Sequence, residues 1–122
     1  MQSEKAIQDV FERLAAEMPG FIAASLVDLE SGMTLGVKSM RPEFDLTAAS
    51  AYNSEMVKQK LKIMRALNLK TTLEDMLLTL GDQIHLIKVV SPSTFIYLAA
   101  DRSACNLAIV RNVVSKNIAA FA

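Results

Sequence analysis

This 122-residue chain is defined first by what it lacks. Its single cysteine, Cys105, rules out an intrachain disulfide and suits a reducing compartment. Its single histidine, His85, has no partners at metal-ligand or catalytic spacing. Tryptophan is absent and aromatic residues are only 6%, which argues against an aromatic-lined ligand pocket. Thirteen basic and thirteen acidic residues cancel, so the long-range field of a general nucleic-acid binder is missing. No run approaches the ~18 apolar residues that a membrane span needs. The start, MQSEKAIQDVF, is charged and amphipathic, without the apolar core of a signal peptide. No Gly-rich phosphate loop with a lysine, His-Glu-x-x-His pair or nucleophile elbow occurs. The expectation is a cytoplasmic protein that is not an enzyme, with no catalytic residue, cofactor or metal.

Apolar residues, by contrast, make up 52% of the chain. At this length one domain is expected, residues 1–122, burying roughly two thirds of its unfolded surface. So high an apolar content leaves some over for an oligomer interface. The clearest segment is GFIAASLVDLESGMTLG, residues 20–36. A helix-ending glycine leads into a charge-free strand, then a turn of Asp, Ser and Gly, then a second apolar run: a β-hairpin. The first strand is too apolar to have a wet face, so helices must lie on both sides of its sheet.

Periodicity supplies the rest. Ser3 is placed to cap a first helix reaching Met18, with Ile7, Val10, Phe11, Leu14, Ala15 and Met18 on one stripe. Pro19-Gly20 stops it. Strands are expected at 21–28 and 33–38. A long middle helix, capped by Asp45, should run over 46–69. Strands at 73–80, 84–90 and 94–100 follow. A last helix opens at Asp101-Arg102-Ser103, with Leu107, Val110, Val114, Ile118 and Phe121 inward. The order α-β-β-α-β-β-β-α predicts an α+β fold, a five-stranded antiparallel sheet sandwiched between helices.

Two features exceed what a simple core requires. On the middle helix Leu46, Ala49, Met56, Val57, Leu61, Ile63, Met64 and Leu67 spread over nearly half the circumference, enough for both the sheet and a partner helix. Lys60 falls inside this arc, free to snorkel outward or to pair with Glu74 or Asp75. The strand LEDMLLTL begins a three-strand meander, and its apolar run 76–80 makes an unguarded sheet edge. Together they predict a homodimer whose interface includes Met56, Lys60, Met64, Leu67, Glu74, Met76, Leu78 and Leu80. Lys58, Lys62 and Arg65 form a basic stripe on the opposite side of the helix, a candidate docking surface for another partner or simply a solvated face. Cys105, expected in the first turn of the last helix, and His85, in the fourth strand, are taken as packing residues.

Two segments carry a resemblance. GFIAASLVDLESGMTLG is similar to the opening glycine, apolar strand, Asp-x-x-Gly-type turn and second strand of the Roadblock family. IYLAADRSACNLAIVRNVV, residues 96–114, resembles that family's final strand, Asp-x-x-x-x-Asn-Leu segment and terminal helix, with Ala108 where many relatives have glycine. The family is shared by dynein light chains, bacterial GTPase-regulating proteins and lysosomal scaffold subunits. The resemblance implies that the middle helix covers one sheet face and the terminal helices the other. It also implies homo- or heterodimers joined through third strands and middle helices, and a small Ras-like GTPase or a motor or scaffold protein as partner, with no nucleotide hydrolysis by the chain itself. The alternative is a small-molecule-sensing domain of profilin- or PAS-like shape, with its ligand between helix and sheet.

Overall fold

The computed structural model describes residues 3–121; positions 1, 2 and 122, the ends of the expected 1–122 domain, lie outside the described residues. The elements are α1 (Glu4–Glu17), β1 (Phe21–Asp28), β2 (Thr34–Ser39), α2 (Leu46–Ala66), β3 (Asp75–Thr79), β4 (Gln83–Ser91), β5 (Thr94–Asp101) and α3 (Leu107–Ile118), with a 3-10 turn at Ala119–Phe121. The strands form one antiparallel sheet in the order β2-β1-β5-β4-β3. The α+β architecture and the element order are those the periodicity predicts.

β1 and β5 lie at the centre, and the six inner residues of each are buried. One face of the sheet, with Ala24, Leu26, Leu86, Ile96 and Leu98, packs under α1 and α3 through Phe11, Leu14, Val110 and Val114. The other face, with Ala23, Val27, Ile87, Phe95 and Tyr97, packs under α2 through Leu46 and Val57. A buried hydroxyl chain pins α2 to the sheet. Ser50 Oγ donates to the Leu46 carbonyl at 2.7 Å, so the 2.8 Å contact with Ser25 Oγ is a bond donated by Ser25. On the opposite face Asn117, also buried, accepts from Arg13 at 3.0 Å and donates to Glu17 at 3.1 Å, fixing α1 against α3.

The expected caps are in place at two helices: Ser3 accepts from the Ala6 N–H at 3.1 Å and Asp45 from the Ala48 N–H at 3.0 Å. The third helix differs. It opens at Leu107, not near Asp101, because Asn106 accepts from the Ile109 N–H at 3.0 Å. Asp101 instead closes a turn, accepting from the Ser103 N–H and hydroxyl at 2.9 and 2.8 Å. Cys105 therefore precedes the helix rather than lying in its first turn. Burial pushes its thiol up, against a smaller lowering by hydrogen bonding with the Asn106 backbone, and this suits an inert packing residue.

α2 also ends earlier than expected, at Ala66 rather than 69. Asn68 takes the left-handed conformation (φ +57°), with Asn68 N–H on the Arg65 carbonyl and Leu69 N–H on that of Met64, both at 3.0 Å. These two bonds are a Schellman motif. β3 is shorter than residues 73–80, and β2 begins one residue late. A bulge between Leu26 and Val27 shifts the β1–β2 register.

Gly36 lies directly beneath α1: a Cβ there would overlap the Ile7 Cγ2 methyl, with the Phe11 ring 3.4 Å away. Gly36→Ala is expected to lower stability by about 1–3 kcal/mol through overpacking. Urea denaturation should show a smaller loss for the same change in an Ile7→Ala background, because the two sites share one contact. Equal losses in both backgrounds would show that α1 is not the reason glycine stands at 36.

Candidate protein-interaction surface

The two sheet faces are covered unequally. α1 lies over β1 and β2, and α3 over β4. On the other face a single helix, α2, lies across β1 and β2. The β3 side of that face is roofed by loop residues such as Phe44 and Leu73 and keeps Met76 and Leu78 only half-buried.

The two sheet edges are unequal too. β2 is guarded by its bulge and by Lys38, whose ammonium bonds Glu12 at 3.0 Å. β3 pairs with β4 in unbroken register from Asp75 opposite Lys88 to Thr79 opposite Ile84. Leu80 N–H bonds the Gln83 carbonyl at 2.8 Å and Val89 N–H bonds the Glu74 carbonyl at 3.0 Å. By antiparallel alternation the backbone groups of Asp75, Leu77 and Thr79 then point away from β4. This edge is regular, apolar and without proline.

The structure distributes the sequence-expected residues as follows. Met76 and Leu78 lie on the α2 face of β3, opposite Ile87 and His85. Leu80, just past the strand, and Glu74, just before it, are exposed. At the end of α2 its C-cap Leu67 is 63% exposed; on the helix Met56 is half-buried, whereas Met64 is 8% exposed and faces inward. Lys60 is exposed and makes no ion pair among the described residues. It lines a cleft of about 600 Å3 beside the start of β3, together with Glu74, Asp75, Lys88 and Arg111.

A pairing of Lys60 with Asp75 does not occur. Arg111 of α3 takes Asp75 in a two-pronged contact at 3.0 and 2.9 Å. That partner is 36 residues away in sequence, and no local signal points to it. A second cleft, of about 390 Å3, runs between Leu61 and Met64 of α2 and the β4–β5 turn. Ile63, 39% exposed, joins Leu67 on the outer side of α2. It belongs to the apolar arc of the sequence but not to the interface expected from it.

A cluster that the sequence did not bring together lies beneath this edge. His85 Nδ1 is 3.1 Å from the Tyr97 hydroxyl and Nε2 is 2.7 Å from Gln83 Oε1. The Phe44 ring stands 6.5 Å from both the His85 and Tyr97 rings. Tyr97 is pushed up to about 12 by burial. Among the described residues no group of three or more His, Cys, Asp or Glu gathers as a metal site would need, and no helix is long and apolar enough to cross a membrane.

The basic stripe is not uniform. Lys62 and Arg65 are exposed, but the Lys58 ammonium reaches the Glu30 carbonyl in the β1–β2 turn at 2.6 Å. Lys62→Glu and Arg65→Glu are expected to shift stability by no more than about 0.5 kcal/mol. Lys58→Ala, which removes a charged donor from a turn carbonyl, should cost about 1 kcal/mol. Chemical denaturation of the three single variants measures this, and equally small changes at all three would mean that Lys58 does not hold the turn.

A scan against family models finds no match, and a search of curated proteins finds none either. Solved structures do match. MglB from Myxococcus xanthus superposes with a TM-score of 0.86 at 15% identity, over 99% of this chain and 90% of that one. An MglB with tetrameric arrangement gives 0.80 at 16% identity, over 94% and 83%. A Roadblock/LC7 domain from Streptomyces avermitilis gives 0.76 at 13% identity, over 98% and 93%. At such identities the likeness is one of fold, and it agrees with the hairpin and the Asp-x-x-x-x-Asn-Leu segment: this chain has the Roadblock/LC7 fold.

Proposed function

We propose that this chain is a cytoplasmic member of the Roadblock family, one domain over residues 1–122, acting as a non-enzymatic homodimeric interaction module that regulates or scaffolds a small Ras-like GTPase. One observation carries the association: a face with one helix for five strands, running out to a regular, unguarded edge at β3. A second copy supplies what is missing, its own α2 beside the first and its β3 antiparallel to the first. Leu67, Met76, Leu78 and Leu80 then leave water, with Met56 and Met64 backing them and Lys60 and Glu74 at the rim. Self-association is stated in the name of one structural neighbour, the MglB with tetrameric arrangement.

The GTPase follows from the Roadblock resemblance. The chemistry available is contact, in which affinity for one nucleotide state of the partner's switch regions shifts that partner's equilibrium. Lys62 and Arg65, exposed on α2, are the side chains to steer an acidic partner surface, with Lys58 partly committed to the hairpin turn. The alternative, a small-molecule sensor, draws support from the cleft of about 390 Å3 between α2 and the sheet.

Light scattering after size exclusion at low micromolar concentration should give twice the 13.4 kDa chain mass. Thr79→Pro removes a donor on the outward side of β3 at an exposed position, so it should halve that mass while circular dichroism stays unchanged. A wild-type monomer, or a dimer indifferent to Thr79→Pro, would show that β3 is not the joining edge. A Ras-like GTPase from the same organism should bind with different affinity in its GTP-analogue and GDP states. Equal affinity, or none, would remove the regulatory role.

A further inference from the structure

His85 is the only histidine of the chain and lies directly opposite Leu78 on the face that α2 leaves half-covered. Gln83 Oε1 is an acceptor only, so the 2.7 Å contact places the ring proton on Nε2. Nδ1 then accepts from the Tyr97 hydroxyl at 3.1 Å. With one proton, both nitrogens are satisfied. A second proton on Nδ1 would force the Tyr97 hydroxyl to turn from donor to acceptor and would place a cation among Phe44, Leu78 and Tyr97.

The groups around the ring come from four elements. β3 contributes Leu78, β5 contributes Tyr97, the segment before α2 contributes Phe44, and the β3–β4 turn contributes Asp82 beside Gln83. Among the described residues Asp82 is a charged group that acts on His85, and Tyr97 is a titratable neighbour. Burial holds His85 below the ordinary histidine value, and the Asp82 charge offsets part of that. Tyr97 stays protonated throughout the neutral range.

We propose that His85 makes association through β3 and α2 pH-sensitive, the paired chains excluding a proton that a separate chain takes up. The inference rests on the association proposed above. A second chain laid over Met76 and Leu78 removes the remaining water from that face, so an imidazolium there loses hydration, while the carboxylate that the second chain brings, Glu74, belongs to the rim. The associated form thus has the lower histidine pKa and binds fewer protons. Association is at full strength above the separate chain's value and weakens as pH falls through it. With one histidine per chain, two protons are taken up per dimer that separates. One pH unit below that value the dissociation constant is raised by up to about a hundredfold.

A dilution series followed by sedimentation equilibrium, from about pH 8 to about pH 5.5, tests this on the wild type and on His85→Gln. Glutamine can accept from Tyr97 and donate to Gln83 but cannot take the proton. The wild-type dissociation constant should rise as pH falls across the series, while that of His85→Gln stays flat. The His85 ring resonances of the wild type supply a measurement that needs no variant: the pKa they report should be lower in concentrated than in dilute protein. A pKa independent of concentration in a chain that dimerises at pH 8, or a variant that loosens as much as wild type, overturns this inference and leaves the association standing. A chain that stays single at pH 8 at every concentration overturns the association and this inference with it.

Discussion

The structure depends on the burial of β1 and β5 on both faces. Twelve consecutive-strand residues, six in each, are sealed from water, and a strand of that kind has no stable position except in the middle of a covered sheet. From this the layer order follows: helices above and below, hairpin partners outward, and β2 and β3 left as edges. Alanines at 23, 24, 99 and 100 on these strands let the helices come close, and Gly36 extends that closeness to the neighbouring strand. The same closeness explains why polar groups under the helices are small and paired, as with Ser25 and Ser50.

Three helices cannot cover two faces of five strands equally. Two lie on one face, locked together by Asn117, and one lies on the other. The shortfall lies on the α2 face toward β3, where the half-buried methionine and leucine of the strand remain. β2 carries the usual protections of an edge, an extra residue in the register and a lysine, and β3 carries little beyond acidic residues at one end. Even these are partly engaged, since Arg111 from the opposite face holds Asp75, leaving Lys60, Glu74 and Lys88 of that rim without an ion pair among the described residues.

Much of this was legible because it is local. Caps at Ser3 and Asp45, the Asp-Ser-Gly turn, the stripe of α1 and the double-sided strands rest on spacing and turn chemistry within a few residues. What was not legible depended on competition or distance. Asp101 and Asn106 are both able to cap a helix. Asn106 prevails because Asp101 N–H bonds the Gly20 carbonyl at 2.7 Å, which keeps Asp101 in β5. Asn68, read as the continuation of a helix, has the side chain that best tolerates a left-handed end short of glycine. Arg111 with Asp75 and Lys58 with Glu30 join residues 36 and 28 apart, so no pattern in the chain announces them. The candidate surface was legible as an excess, an arc too wide and an edge too apolar, but which members of the arc face out was not. Met64 and Leu67 sit three apart on the helix and share that arc, yet one closes the core and the other meets water.

That last contrast bears on how such a surface works. Because Met64 and Met56 lie beneath the outer residues, the surface that a second chain would meet is backed by side chains that can adjust their shape without unfolding the subunit. His85 lies under the same surface with both ring nitrogens engaged, Nδ1 accepting from the Tyr97 hydroxyl and Nε2 donating to Gln83. A layer of adaptable thioethers beside a fully satisfied polar chain tolerates the approach of another apolar face but not the arrival of another charge. The constraint that buries β1 and β5 therefore reaches the edge strand in weaker form: the sheet is dry at its centre, half-dry at β3, and becomes dry there only when something apolar covers it.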